Sequence, residues 1–319
     1  FFSKIPMNLG LRRRIKANLC CSKYFVLVVR QHGFSSQSQQ GATEFLSVGA
    51  PVVVDLPSSC GTPPHVAVLS LNRPNQLNAM NLETMCHLAH AFSHLRKLPD
   101  IRAIILTGKG RAFCAGIDLT SAGEIFQGHT KIIGSDMDPV VQMRCTEVPI
   151  IGAINGHAIT GGFELALNCD FLVGSPEACF MDTHSKFGIH PCWGLSQLLP
   201  KYIGPSRAKE VSLSARPVDA NTAVKWGLLN RVVPSDQLLG ECLGIAQAIG
   251  DNSPDFIRRY KRLIDDSLDL SLEAGLDMEA QKGLQYYESM GPEQFLTMET
   301  FISSRSGRKG KPTGKPKSA

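Results

Sequence analysis

The stretch Pro149-Ile-Ile-Gly-Ala-Ile-Asn-Gly-His-Ala-Ile-Thr-Gly-Gly-Phe-Glu-Leu-Ala166 decides the fold. Pro149–Ile154 is an apolar run of strand length, and it stops at Asn155-Gly156, a turn pair. Gly161 and Gly162 then open a helix expected over Gly162–Asn168, and Asp170–Gly174 returns to strand composition. Strand, turn, short helix and strand within 26 residues predict an α/β chain rather than a sandwich or a bundle.

The same alternation extends upstream. His65–Leu71 alternates between Pro64 and Arg73-Pro74 and is expected as a strand. Asn81–Lys97 places Leu82, Met85, Leu88, Ala89, Phe92 and Leu95 at helical spacing. Ile101–Thr107 is a continuous apolar strand suited to a sheet covered on both faces. Gly108–Asp118 follows as a glycine-rich loop. Downstream of residue 195 the signals are helical, over 195–203, 206–213, 219–226, 236–249, 254–268, 271–288 and 292–302. Pro254 and Pro292 are placed to start helices at the first helical position.

The 319 residues carry a net charge of +5, with 43% hydrophobic and 19% charged residues, which excludes wholesale disorder. No apolar run reaches the ~20 residues needed to span a bilayer. Residues 1–43 hold seven Lys/Arg and no acid, and residues 303–319 hold six and no acid. The body between them holds 20 basic and all 28 acidic residues. The basicity therefore sits in the tails, and the acidic body is not that of a nucleic-acid binder; a non-catalytic protein binding RNA through its tails is the reading of another class. Residues 1–43 have transit-peptide composition, with the mitochondrion the expected destination and the peroxisome the alternative. Residues 303–319 are expected to be disordered, leaving a core at 44–250 and a helical region at 251–302. Ten scattered cysteines, with no Cys-x-x-Cys pair, suggest reduced thiols rather than a disulfide framework.

His87, His90 and His94 share one helix face away from the apolar stripe, so that face is expected to be solvated. No cysteine or carboxylate of ligand spacing joins them, and no metal is expected. The loop at 108–116 ends in no Gly-Lys-Ser/Thr and is not a phosphate loop, and no Gly-x-Ser-x-Gly elbow occurs. What carries information is three separated motifs: Asn72-Arg-Pro-Asn-Gln-Leu-Asn-Ala79, Gly110-Arg-Ala-Phe-Cys-Ala-Gly-Ile-Asp118, and the opening stretch through Glu164. Together they resemble the crotonase family of enoyl-CoA hydratases and isomerases, from about residue 60 to about 300. Phe180-Met-Asp-Thr-His184 is most like the plant-type monofunctional enoyl-CoA hydratases.

The resemblance implies a crotonase-like spiral of ββα units, a helical C-terminal trimerisation region, and a homotrimer or dimer of trimers. It implies an acyl-CoA substrate and hydration of a 2-enoyl-CoA in fatty-acid β-oxidation, with double-bond isomerisation as the runner-up. No separate cofactor is expected, because coenzyme A is part of the substrate. The resemblance places an oxyanion hole at the backbone N–H groups of Ile117 and Gly161. It places substrate contacts at Asn75, Gln76, Leu77, Asn78 and Ala79, and at Ala115, Gly116, Asp118, Leu119 and Thr120. Glu164 would activate water or handle the C2 proton, and a carboxylate beside an apolar pocket has the raised pKa suited to that work. Where typical hydratases carry a second glutamate this chain has His184, with Asp182 two residues away and, along a strand, pointing the same way. The second catalytic group is then His184, Asp182 or neither.

Overall fold

The computed structural model describes residues 28–30, 50–57, 61–127 and 132–305. The chain divides into two compact units, Phe1–Arg258 and Arg259–Ala319. The first opens with β1 (Val28–Arg30), β2 (Val52–Asp55), β3 (Val66–Leu71) and α1 (Leu82–Leu95). Three strand-strand-helix turns follow: β4 (Ala103–Gly108), β5 (Ala112–Cys114) and α2 (Ala122–Gln127), with α3 (Pro139–Arg144) appended; β6 (Ile150–Ile154), β7 (His157–Ile159) and α4 (Gly161–Leu167); and β8 (Phe171–Gly174), β9 (Cys179–Met181) and α5 (His184–Phe187). The unit continues through α6 (Leu195–Ile203), α7 (Pro205–Ser214), β10 (Val218–Asp219), α8 (Ala220–Trp226), β11 (Arg231–Val232) and α9 (Leu238–Gly250). Helix α10 (Pro254–Ser267) spans the division, and α11 (Leu272–Glu288) and α12 (Pro292–Arg305) belong to the second unit.

In each turn the first strand enters a large sheet and the second a small one. The large sheet has the order β1-β2-β3-β4-β6-β8-β11, and the small one β10-β9-β7-β5. Neighbours in the large sheet are parallel except β2 and β3. This is the spiral of ββα units that the motifs predict. Its first edge departs from expectation: Val28–Arg30, read as part of a tail outside the fold, pairs with β2. The rest of the basic N-terminal segment and residues 306–319 lie outside the described residues.

Period-2 alternation along the central strands explains why they read as unbroken apolar runs. Ala67, Leu69 and Leu71 of β3 pack into the main core with Phe92 and Leu88 of α1, while Val66 and Val68 face a second core. That second core takes Ala103, Ile105, Ile151, Ala153 and Val173 from successive strands, and Leu238, Cys242 and Ala246 of α9 cover it. Helix α1 starts where Asn81 accepts a hydrogen bond from the Thr84 amide at 2.9 Å, a side-chain N-cap. Its histidine face is not solvated as expected. His87 is buried, His90 is half-buried and only His94 is exposed, because α1 is also flanked by α3 and β2. Burial and the nearby His87 hold the His90 imidazole below its ordinary value.

The loops that follow β3 and β5 are stapled together by main chain and side chain. The Ala115 amide donates to Leu77 O, the Met80 amide to Gly116 O and the Asp118 amide to Met80 O. Asn78, in the left-handed region at φ 56°, donates from Nδ2 to Lys109 O and Ala112 O and accepts from the Arg73 amide. Helix α4 is pressed against this staple. A Cβ on Gly162 would lie 2.0 Å from the Cys114 carbonyl oxygen, a backbone atom that cannot step aside. Gly162→Ala should therefore cost about 3 kcal/mol in chemical denaturation, the upper end of overpacking penalties. Gly240→Ala, in an exposed turn of α9 with open space around it, should be neutral or stabilising by about 0.5–1 kcal/mol. Equal effects at the two positions would contradict this packing account.

Candidate active site

The two amides singled out by the resemblance belong to Ile117 and Gly161, on loops that approach closely at Gly116. Ile117 sits between Gly116, whose carbonyl accepts from Met80, and Asp118, whose amide donates to Met80. In an extended segment alternate amides point to opposite sides, so the Ile117 N–H faces away from that bridge. Gly116 has φ +96°, and a Cβ there would stand 3.4 Å from the Gly161 nitrogen, so a side chain at 116 would crowd the two amides. Gly161 begins α4, where amides have no partner within the helix. The preceding Thr160 has φ 50°, a strained value for a β-branched residue. Its amide donates to Met181 O, and its hydroxyl pairs with that of Thr183 and accepts from the Thr183 amide. Those bonds fix the peptide that presents Gly161.

Glu164 lies one turn further along α4 and is only 3% exposed. Its Oε1 accepts from the Trp193 amide at 2.9 Å and the Leu195 amide at 3.3 Å. Its Oε2 faces His184 Nε2 at 3.8 Å. His184 Nδ1 meets Asp182 Oδ1 at 2.7 Å, and the same oxygen accepts the His184 amide at 3.0 Å. Carboxylate, imidazole and carboxylate thus form one buried row. The sequence placed Asp182 and His184 along a strand, and the structure corrects this. Strand β9 ends at Met181, and the Asp182 carboxylate caps the turn that begins α5. The two side chains meet through that turn, not through strand alternation.

Burial pushes the Glu164 carboxyl above its ordinary value, with the two amide bonds and the His184 charge working against the rise. Burial alone would lower His184, but the hydrogen bond to Asp182 and the fields of Glu164 and Asp182 outweigh it, so His184 is raised above 6.5. Burial likewise opposes ionised Asp182, yet its bonds with His184 and Ser212 hold it below its ordinary value. The arrangement can accept a proton at Glu164 Oε2 and give one from His184 Nε2.

The other sequence candidates fall into three groups. Asn75 and Gln76 are exposed, and Leu77 and Ala79 half-buried, on the loop that leads to Met80. Asn78 is buried with its amide spent on the staple, so it is not open to a ligand. Asp118 is likewise engaged: Oδ2 takes both outer nitrogens of Arg73 at 3.1 Å, and Oδ1 accepts from Thr120. Ala115 is half-buried, Gly116 is buried, and Leu119 and Thr120 are exposed beyond the loop. Sequence reasoning missed Trp193 and Asn168. Asn168 Nδ2 donates to the carbonyls of Glu164 and Trp193, bracing the two ends of the Glu164 cradle. Neither stands in a recognisable motif; the only cue to Trp193 is its place just before a helix start.

The enoyl-CoA hydratase/isomerase family description matches residues 61–301. The chain is 46% identical over 244 residues to a probable peroxisomal enoyl-CoA hydratase of Arabidopsis thaliana, covering 76% of this chain and 91% of that protein. Among solved structures it is similar to a probable enoyl-CoA hydratase/isomerase of Mycobacterium abscessus, with TM-score 0.69 and 35% identity over 81% of this chain and 96% of that one. A monofunctional enoyl CoA isomerase of M. smegmatis matches with TM-score 0.60 and 35% identity, over 71% and 98% of the two chains.

If Asp182 sets the state of His184, Asp182→Asn should lower the His184 pKa, because burial is then opposed by Glu164 alone. Imidazole nitrogen shifts followed by NMR against pH would show it. An unchanged midpoint would remove Asp182 from the row.

Proposed function

The chain belongs to the enoyl-CoA hydratase/isomerase family, and we propose that it adds water across the double bond of a 2-enoyl-CoA with Glu164 and His184 as the acid–base pair. The observation that carries this reading is the facing of Glu164 Oε2 and His184 Nε2 across 3.8 Å, with Asp182 behind the imidazole. The thioester carbonyl oxygen accepts from the amides of Ile117 and Gly161, which stabilise the enolate as charge moves onto that oxygen. Ionised Glu164 takes a proton from water while the oxygen bonds to C3. The imidazolium of His184 delivers a proton from Nε2 to C2. The product is a 3-hydroxyacyl-CoA. Glu164 is left neutral and His184 uncharged, and passage of the proton from Oε2 to Nε2 resets the pair. Asp182 keeps a proton on Nδ1 and so keeps Nε2 as the reacting nitrogen. Coenzyme A enters as part of the substrate, and no cofactor takes part. Asn75, Gln76, Leu77, Ala79, Ala115, Leu119 and Thr120 are assigned to the coenzyme A and thioester path, with fatty-acid oxidation the metabolic setting.

Isomerisation is the second reading. Only one of the two family glutamates is present, a single carboxylate suffices to move a proton between C2 and C4, and one similar structure is a monofunctional isomerase. Crotonyl-CoA and a 3-enoyl-CoA offered in parallel separate the two. Hydration should remove the conjugated enoyl absorbance, and Glu164→Gln or His184→Ala should each slow it by about 10²–10⁴-fold. Inertness toward crotonyl-CoA with turnover of the 3-enoyl-CoA would select the isomerase. The rate requires Glu164 ionised and His184 protonated. It should therefore fall below the raised pKa of Glu164 and again above the raised pKa of His184, and His184→Ala should abolish the alkaline fall.

Assembly and address belong to the same proposal. Within the second unit Leu272, Leu276, Leu284 and Tyr287 of α11 are exposed, an apolar content that suits a trimer contact. Sedimentation as a trimer or a dimer of trimers is expected, and a monomer at micromolar concentration would rule the contact out. The Arabidopsis relative is described as peroxisomal, which favours that alternative, while the basic N-terminal composition favours the mitochondrion.

A further inference from the structure

Trp193 joins the two halves of the site and has been given no part in the reaction beyond its main chain. Its amide holds Glu164 Oε1 at 2.9 Å. The edge of its ring, Cζ3, lies 3.4 Å from where a Cβ on Gly161 would stand, and Met80 Cε is 3.6 Å from the same point. One residue therefore walls the site from the glycine assigned to the carbonyl oxygen to the carboxylate assigned to C3. With the carbonyl at Gly161 and C3 at Glu164, an acyl chain that continues past C3 on this side meets the indole.

The indole is also pinned. Nε1 donates to Asp138 Oδ2 at 3.1 Å. Asp138 is 2% exposed; the same oxygen accepts the Gly134 amide at 2.7 Å, and Oδ1 accepts the Val140 amide at 2.9 Å as the N-cap of α3. Swinging the ring aside would strand an indole N–H and one bond of a buried carboxylate. The Trp193 carbonyl is fixed as well, by Arg144 Nη2 and Asn168 Nδ2, each at 2.9 Å. Trp193 is itself 4% exposed, so the ring is packed on its remaining sides. A wall that large and that firmly held does not yield to a longer ligand.

We propose that the Trp193 indole, anchored by Asp138, is the end-stop of the acyl pocket and restricts the enzyme to short-chain enoyl thioesters. The proposal rests on the reading of Glu164 and His184 as the hydration centre. It is separable from a purely positioning role, because a residue that only holds Glu164 would affect all chain lengths alike.

The test compares the full chain with Trp193→Phe, Trp193→Leu and Trp193→Ala, whose retained fold is checked by circular dichroism. The kcat/KM values for the four-carbon and ten-carbon 2-enoyl-CoA are measured for each. The parent should favour the four-carbon substrate by at least about tenfold, and that ratio should shrink in the order Trp, Phe, Leu, Ala, by about tenfold or more at the smallest side chain that folds. A parent indifferent to length would overturn the end-stop, as would folded variants whose rates fall together at a constant ratio. Binding of saturated butanoyl-CoA and decanoyl-CoA is measured alongside, since it needs no chemistry. A parent that hydrates neither enoyl-CoA yet binds the shorter thioester more tightly, with the preference lost on shrinking Trp193, would sink the hydratase reading and uphold the end-stop. Equal binding of the two thioesters would overturn the end-stop, whatever the rates say of hydration.

Discussion

A carboxylate that is 3% exposed persists as an ion only if hydrogen bonds replace its water, and here two amides converge on one oxygen of Glu164. The whole site follows from that convergence. The amides of Trp193 and Leu195 come from the turn into α6, so α4 and α6 must be held at a fixed spacing. Asn168 does this by bonding the carbonyl of Glu164 and that of Trp193. With Oε1 so committed, Oε2 is left clear of those amides, and it faces His184. A carboxylate with both oxygens solvated would keep neither the direction nor the raised pKa.

The same logic governs the side that carries Ile117 and Gly161. The sheet brings the ends of β5 and β7 side by side, and glycines there let main chain approach main chain. Gly162 could not be anything larger, because the Cys114 carbonyl occupies the space. Buried Cys114 donates its thiol hydrogen to Asn78 O, and burial pushes the thiol up to about 12, so it packs rather than reacts. Strain at Thr160 is the counterpart of this close approach, and it is held by Thr183, the residue between Asp182 and His184. The peptide that precedes Gly161 and the segment that carries the His184 imidazole are thus one mechanical piece.

Much of this was legible because it is local. Periodicity marked β3, β4, β6, β8 and the longer helices within a few residues, since apolar alternation and caps such as Asn81 depend on near neighbours; the two- and three-residue strands of the small sheet are too short to show a period, and β5 lies in the stretch read as a glycine-rich loop. The resemblance of three motifs singles out Glu164, Gly161 and Ile117 as candidates without any geometry. What could not be read was whatever depends on long-range packing. Asn78 looked like a ligand contact and proves to be a brace, because its partners Lys109 and Ala112 are more than thirty residues away. The histidine face of α1 read as solvated because nothing in its own helix reveals the α3 and β2 flanks. Trp193 carried no motif, since its importance lies in what it touches. Asp182 and His184 read as pointing the same way along a strand, and they meet instead through a turn that their own sequence does not announce.

The turn has a consequence of its own. Because Asp182 reaches His184 through two successive bonds across one intervening residue, the pair is a self-contained cassette that needs little from its surroundings to form. Set against a Glu164 facing a second glutamate, the cassette replaces a single carboxyl group by an imidazole–carboxylate pair, in which the proton offered to Glu164 sits on a nitrogen backed by a buried anion. A five-residue graft of Phe180–His184 into a two-glutamate relative would therefore transplant an electrostatic setting, not merely a side chain. It would alter how that scaffold weighs enolate formation against proton delivery.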